Sequence, residues 1–168
     1  MRLGFLIPLL VFTCCSHPES SEFSRNKDHN NQFSNTDSQD AEVLNFEVEN
    51  GVKYVWIDIN GIRLRFIFDT GASNICISEA EAITLYKQGT LTEDDILESQ
   101  SFQDATGTIS NGTKIILREV KIGNQILENI EALVVSNFHA PLLLGQSALE
   151  RFDNIRIDNK NQQIIFEY

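Results

Sequence analysis

The chain has 168 residues, enough for one domain or for one domain with a tail. Lys and Arg total 13 against 24 Asp and Glu, and a net charge of −11 repels phosphate backbones, so nucleic acid is not an expected partner. Three Cys, two of them adjacent, and three His spread over positions 17, 29 and 139 exclude a disulfide framework and a zinc site of clustered ligands; no metal and no cofactor is expected.

Met1-Arg2 precedes the apolar run 3–13, which is about half the length of a membrane-spanning helix. One basic residue, an apolar core and a polar sequel predict an export signal over 1–14. The run ends in Cys14-Cys15 and not in a small-residue cleavage site. A Cys directly after a signal core resembles the lipobox of bacterial lipoproteins, where the thiol is acylated. Val11 stands where Leu or Val is expected, which selects Cys14, although Phe12 and Thr13 depart from the usual small residues. The resemblance implies export to a bacterial cell envelope with a lipid anchor in the membrane; an ordinary signal peptide or an uncleaved signal anchor is the alternative. Residues 15–42 are dominated by Ser, Asn, Asp, Gln and Glu, with Phe23 and Phe33 as the only large apolar groups. Such a segment cannot bury enough surface to offset its chain entropy and is predicted to be a disordered tether. A propeptide is the alternative.

Residues 43–168 read as a single mostly β domain with 18 acidic and 10 basic side chains, net −8. Residues 52–59 and 62–68 are rich in β-branched and aromatic side chains, and they flank Asn60-Gly61, a two-residue hairpin turn. In the second strand Ile62, Leu64, Phe66 and Phe68 share one face, with Arg63 and Arg65 on the other. Trp56, among apolar neighbours, is expected in the core. Ser78-Glu79-Ala80-Glu81 is a capping box that opens a helix to about Gln88, ended by Gly89. Thr92 starts a second short helical piece, with Glu93-Asp94-Asp95 as its solvated, dipole-favoured first turn. Strands are predicted over 113–122 and 125–135 about the turn Gly123-Asn124, and over 155–158 and 163–166 about Asn159-Lys160-Asn161.

The apolar strand Phe66-Ile67-Phe68 runs straight into Asp69-Thr70-Gly71-Ala72-Ser73. A carboxylate at the end of an apolar strand is costly to charge unless something stabilises it. Taken alone, Asp-Thr-Gly is a turn leaving a strand. A second segment, Leu142-Leu143-Leu144-Gly145-Gln146-Ser147-Ala148-Leu149, follows in the order and at the spacing seen in the retropepsin-like aspartic proteases, which this sequence resembles over residues 46–168. The resemblance implies a retropepsin-like half-barrel with one or two short helices. It implies Asp69 as the catalytic carboxylate, supported by Thr70, Gly71, Ala72 and Ser73, with Leu143, Leu144 and Gly145 crossing beside that loop into a short helix over 146–151. It also implies a flap at Asp104-Ala105-Thr106-Gly107, with Ala105, Thr106 and Gly107 over the substrate groove.

Peptide hydrolysis of this kind needs two carboxylates facing one water, sharing one proton between them. The chain has one Asp-Thr-Gly, so the site requires a homodimer that supplies Asp69 twice; the resemblance implies that each Thr70 reaches to the partner's loop. The partners implied are a peptide or protein substrate and a second copy of the chain. Ile164, Ile165 and Phe166 fit either a dimer interface, as in the family, or a strand within one subunit. Cys76 reads as packing, and His139 as a surface or groove residue. Two functions stay open: an exported aspartic endopeptidase, and a catalytically inactive domain of the same fold that binds extended peptides.

Overall fold

The computed structural model describes residues 41–103 and 106–168, so the signal, Cys14 and the tether up to residue 40 lie outside the described residues, as does Ala105. In chain order the strands are β1 (Ala41–Asn45), β2 (Glu47–Glu49), β3 (Val52–Ile59), β4 (Ile62–Phe68) and β5 (Ile75–Ser78). Helix α1 (Glu79–Lys87) and a 3-10 turn at Glu93–Asp95 follow. Next come β6 (Ile96–Gln103), β7 (Ile109–Ile122), β8 (Gln125–Val135), β9 (Leu143–Leu144), helix α2 (Gln146–Leu149), β10 (Asn154–Asp158) and β11 (Gln163–Glu167).

Local chemistry accounts for most of these limits. Asn60 and Gly61 both take positive φ (47° and 83°), which closes the β3–β4 hairpin in the register Ile59↔Ile62. The Ser78 hydroxyl accepts the Ala80 N–H at 3.1 Å and donates to the Glu81 carboxylate, so Ser78 caps α1 without the reciprocal backbone bonds of the expected capping box. Gly89 at φ 72° ends the turn after α1. Asn50-Gly51 is a second hairpin turn with positive φ, joining β2 to β3.

Eight strands form one sheet in the order β2-β3-β4-β9-β5-β8-β7-β6, and β3 also pairs with β7 through Asp58↔Lys121 and Ile59↔Val120, curling the sheet back on itself. The enclosed core contains Val55, Ile57, Phe66, Ile75, Ile77, Ile115, Leu117, Ile130 and Leu144, all nearly inaccessible to water. Each such side chain contributes about 1.5–3 kcal/mol by leaving water. β1, β11 and β10 make a separate three-stranded antiparallel sheet, with Ile164 and Phe166 buried beneath it. The mostly β architecture with two short helices is the fold class read from the sequence.

Three readings are corrected. Trp56 is 41% exposed, because Val55, Ile57 and Ile59 take the inward parity of β3; its indole N–H donates to Glu47 at 3.0 Å. Asp95 is buried and not part of a solvated helix start. β1 begins at Ala41, inside the stretch assigned to the tether, because Ala41 and Glu42 pair with Glu167 and Phe166. For Ile164, Ile165 and Phe166 the structure shows the strand within one subunit: β11 is the middle strand of its sheet, and β1 and β10 fill both its edges.

Candidate active site

Strand β4 ends where Asp69 begins a six-residue loop that leads to β5. The loop is held by a distant segment. β9 lies parallel to β4, with Ile67↔Leu143 and Phe68↔Leu144, and antiparallel to β5 through Cys76↔Leu143. The Ile67 and Asp69 N–H groups donate to the Leu142 and Leu144 carbonyls at 2.8 and 3.2 Å. The chain therefore threads between two strands that the Asp69 loop connects, and it must pass close to that loop as it leaves. Gly145 is that point. A Cβ there would lie 2.2 Å from the Asn74 carbonyl oxygen and 2.7 Å from that of Ala72.

Immediately beyond, α2 offers its free N–H groups to the loop. Gln146 N–H donates to the Ala72 carbonyl at 2.9 Å and Ser147 N–H to that of Ser73 at 3.0 Å. Two side chains add to this. Gln146 Nε2 donates to the Thr70 carbonyl at 2.7 Å, and Ser147 Oγ accepts the Ile75 N–H at 2.9 Å. Sequence reasoning missed Gln146 and Ser147 as holders of the loop. Their signal was their place directly after the apolar-apolar-Gly run.

Asp69 is half-buried, and its Oδ1 accepts the Gly71 N–H at 2.9 Å. A Cβ on Gly71 would sit 3.2 Å from that oxygen, so glycine allows the close return of the chain. Thr70, Gly71 and Ser73 are exposed and Ala72 is partly buried. The Thr70 hydroxyl makes no hydrogen bond among the described residues. Cys76 lies nearby: burial, and then the Asp69 charge, push its thiol up to about 11. Phe68 meets Phe166 edge to face at 6.5 Å, and Phe152 meets Phe166 at 4.8 Å with the rings tilted by 49°. The apolar floor of the site thus comes from both sheets.

The structure brings residues 69–73 and 143–145 together, as the motif pair implied. Thr106 and Gly107 lie in the turn between β6 and β7. Gly107 has φ 86°, and its carbonyl accepts from Gln103 Nε2 at 3.1 Å. His139 is exposed in the loop between β8 and β9. No cluster of three or more His, Cys, Asp or Glu able to hold a metal occurs among the described residues.

Comparison with known proteins gives this geometry its relatives. A crystal structure of a retropepsin-like aspartic protease from Rickettsia conorii is 27% identical in sequence, covers 75% of this chain and 98% of its own, and superposes with a TM-score of 0.55. An uncharacterized protein of Rickettsia prowazekii (strain Madrid E) is 30% identical over 118 residues, which is 70% of this chain. The match takes in 48% of that relative, so the chain spans about half the length of the curated protein it resembles. Residues 55–151, from the middle of β3 to just past α2, match the family described as gag-polyprotein putative aspartyl protease. The threaded strand, the Asp69 loop and the family match coincide in one stretch of sequence: the chain belongs to that aspartyl protease family and has a retropepsin-like fold.

Proposed function

We propose that the chain is an aspartic endopeptidase that works as a homodimer, with Asp69 contributed by each subunit. The observation that carries this reading is the Asp69 loop itself. One carboxylate per chain is fixed by the Gly71 N–H and by a backbone braced from α2, while Thr70, Gly71 and Ser73 face outward. Across a twofold axis two such carboxylates share one proton. The ionised one takes a proton from water, and the protonated one polarises the scissile carbonyl. Thr70, whose hydroxyl makes no hydrogen bond among the described residues, reaches the partner's loop. Ala105, Thr106 and Gly107 form the flap over the bound peptide. Asp69→Asn keeps the fold and abolishes cleavage; full activity in the pure variant refutes the assignment.

A second reading has one observation in its favour. Both edges of β11 are filled from its own subunit, so the terminal strand has no edge left for a partner. A monomer that binds extended peptides without cutting them fits that arrangement. Sedimentation with and without a pepstatin-type inhibitor separates the two: a dimer that binds the inhibitor supports the peptidase, and a monomer indifferent to it supports the binding module.

The N-terminal residues support export and acylation of Cys14, which would tether the domain to a bacterial envelope membrane. Fatty-acid labelling that is lost in a Cys14→Ala/Cys15→Ala variant tests this, and an unlabelled parent refutes it.

A further inference from the structure

Among the described residues, strand β6 is the last strand of the large sheet and pairs with β7 alone. β7 in turn meets β8 from Gly112↔Val135 onward. Residues 99–103 and 109–111 therefore form a two-stranded arm with no third strand behind it among the described residues. Gly112 marks the exit, since a Cβ there would lie 2.7 Å from the Val134 carbonyl oxygen. Side chains along the arm are mostly exposed, and Ile109 is 71% exposed. The isolated hairpin has too little buried surface to fix its own direction.

Its root is built differently. Between Ile96↔Ile115 and Ser99↔Thr113 the register shifts, so Leu97 and Glu98 together oppose Lys114. A bulge of this kind bends the strand and raises its twist. One residue before it, Asp95 is buried and fully engaged. Its Oδ2 accepts the Thr92 N–H at 2.8 Å and the Thr92 hydroxyl at 2.9 Å. Its Oδ1 accepts Arg118 Nε at 2.8 Å, and Arg118 Nη2 donates to the Thr92 hydroxyl at 2.8 Å. Arg118 belongs to β7 and Asp95 to the entry of β6, so the ring ties the two strands together below the bulge. A neighbouring brace repeats the link: Asn60 Nδ2 donates to the Thr90 carbonyl at 2.8 Å, and Asn60 Oδ1 accepts the Glu119 N–H at 2.9 Å. Thus the segment 90–95 is fixed to β7 at 118–119, and the self-paired arm begins past the bulge.

We propose that Asp95 and Arg118 are positioning residues, which pin the root of the β6–β7 arm so that the bulge at Ile96–Ser99 is the pivot that aims it. The inference rests on reading this arm as the flap of a peptidase, and it goes beyond that reading by naming what directs the flap. Neither side chain touches substrate. Their effect reaches the reaction through how often the arm occupies its closed direction.

The test is amide hydrogen exchange on the full-length protein, comparing the parent with Arg118→Met and Arg118→Lys. Arg118 is half exposed, and Asp95 keeps both Thr92 donors when it is replaced, so folding is not at stake. In Arg118→Met, amides of 99–103 and 109–111 exchange at least about tenfold faster, while those of β3, β4 and β8 keep the parent rate. Arg118→Lys, which restores the charge, recovers part of the protection. With a peptide substrate, KM rises more than kcat falls. Unchanged exchange in the arm overturns the proposal, and so does an acceleration spread evenly over the domain. A parent without peptidase activity refutes the enzyme reading, while exchange still decides whether the root is pinned.

Discussion

The loop 69–74 joins β4 to β5 on either side of β9, and the arm of residues 99–103 and 109–111 belongs to the adjacent strands β6 and β7; the two draw their support from different distances along the chain. The Thr70, Ala72 and Ser73 carbonyls of the loop accept hydrogen bonds from Gln146 and Ser147, the bond to Thr70 spanning 76 positions. Past its root, the arm is paired only with itself among the described residues. In the loop, backbone groups are satisfied by a strand threaded through the sheet and by the helix that follows it. In the arm, water competes for every side chain. A carboxylate that must meet its counterpart needs the first kind of support. A segment that must admit and release a peptide needs the second kind, with its freedom limited at one place.

The largest difference should appear when glycines in the two regions are each replaced by alanine. Gly145 has an ordinary φ of −104°, yet its new Cβ would overlap the Asn74 carbonyl. The threaded segment or the loop must move, and Gly145→Ala is expected to cost on the order of 3 kcal/mol. Gly107 is the reverse case. Its φ of 86° disfavours any side chain, but the nearest atom to a Cβ is 3.6 Å away, so Gly107→Ala is expected to cost about 1 kcal/mol. Denaturant unfolding measures both. Equal shifts would show that the loop yields as readily as the arm.

A smaller test removes one brace of the loop without crowding it. Gln146→Ala deletes the hydrogen bond to the Thr70 carbonyl, which is worth about 1 kcal/mol. Exchange of the loop amides is expected to quicken while the arm is unaffected. If the arm also loosens, the two regions are coupled and the contrast drawn above fails.

The arm's root responds to pH in a defined direction. Burial raises the Asp95 carboxyl, but the bonds from Arg118 and from Thr92 outweigh this and hold it below its ordinary value of 3.8. A carboxylate depressed in the folded state stabilises fully above its unfolded value, and that stabilisation is lost as pH falls through the folded value. The Tm difference between parent and Asp95→Asn is therefore expected to be flat at neutral pH and to shrink only below about 4. A difference that shrinks between pH 7 and 5 would mean that another group governs the root.

Much of this was legible in the sequence where one local signal sufficed. Asn60-Gly61, the Ser78 cap and Gly123 each fix a turn or a helix start by their own conformational limits. The pairing of 69–73 with 143–145 was legible only through resemblance, because no local rule joins segments so far apart. The misreadings share a cause. Trp56 lies on the outward parity of a strand that is apolar on both faces, so alternation could not place it. Asp95 is a chemical match for a solvated first turn until Arg118, 23 positions on, turns it into a clamp. The edge strand β2 has the sequence Glu-Val-Glu, all exposed, which carries no strand signal beyond its pairing with β3.

The finest comparison uses Cys76 as a reporter of the Asp69 charge, and it needs no catalysis. Burial is the main reason its thiol titrates near 11, and the Asp69 carboxylate adds to it. The thiolate is the reactive form. Against an ordinary thiol at 9.0, alkylation of Cys76 at pH 8 is expected to be about a hundredfold slower. Asp69→Asn removes the negative neighbour and leaves the burial, so the rate should rise by only a part of that factor. Peptide-resolved mass spectrometry keeps Cys14 and Cys15 out of the measurement. An identical rate in parent and variant would mean that the Asp69 side chain points away from the β5 strand, and the loop would then not present the carboxylate as the water-activating group.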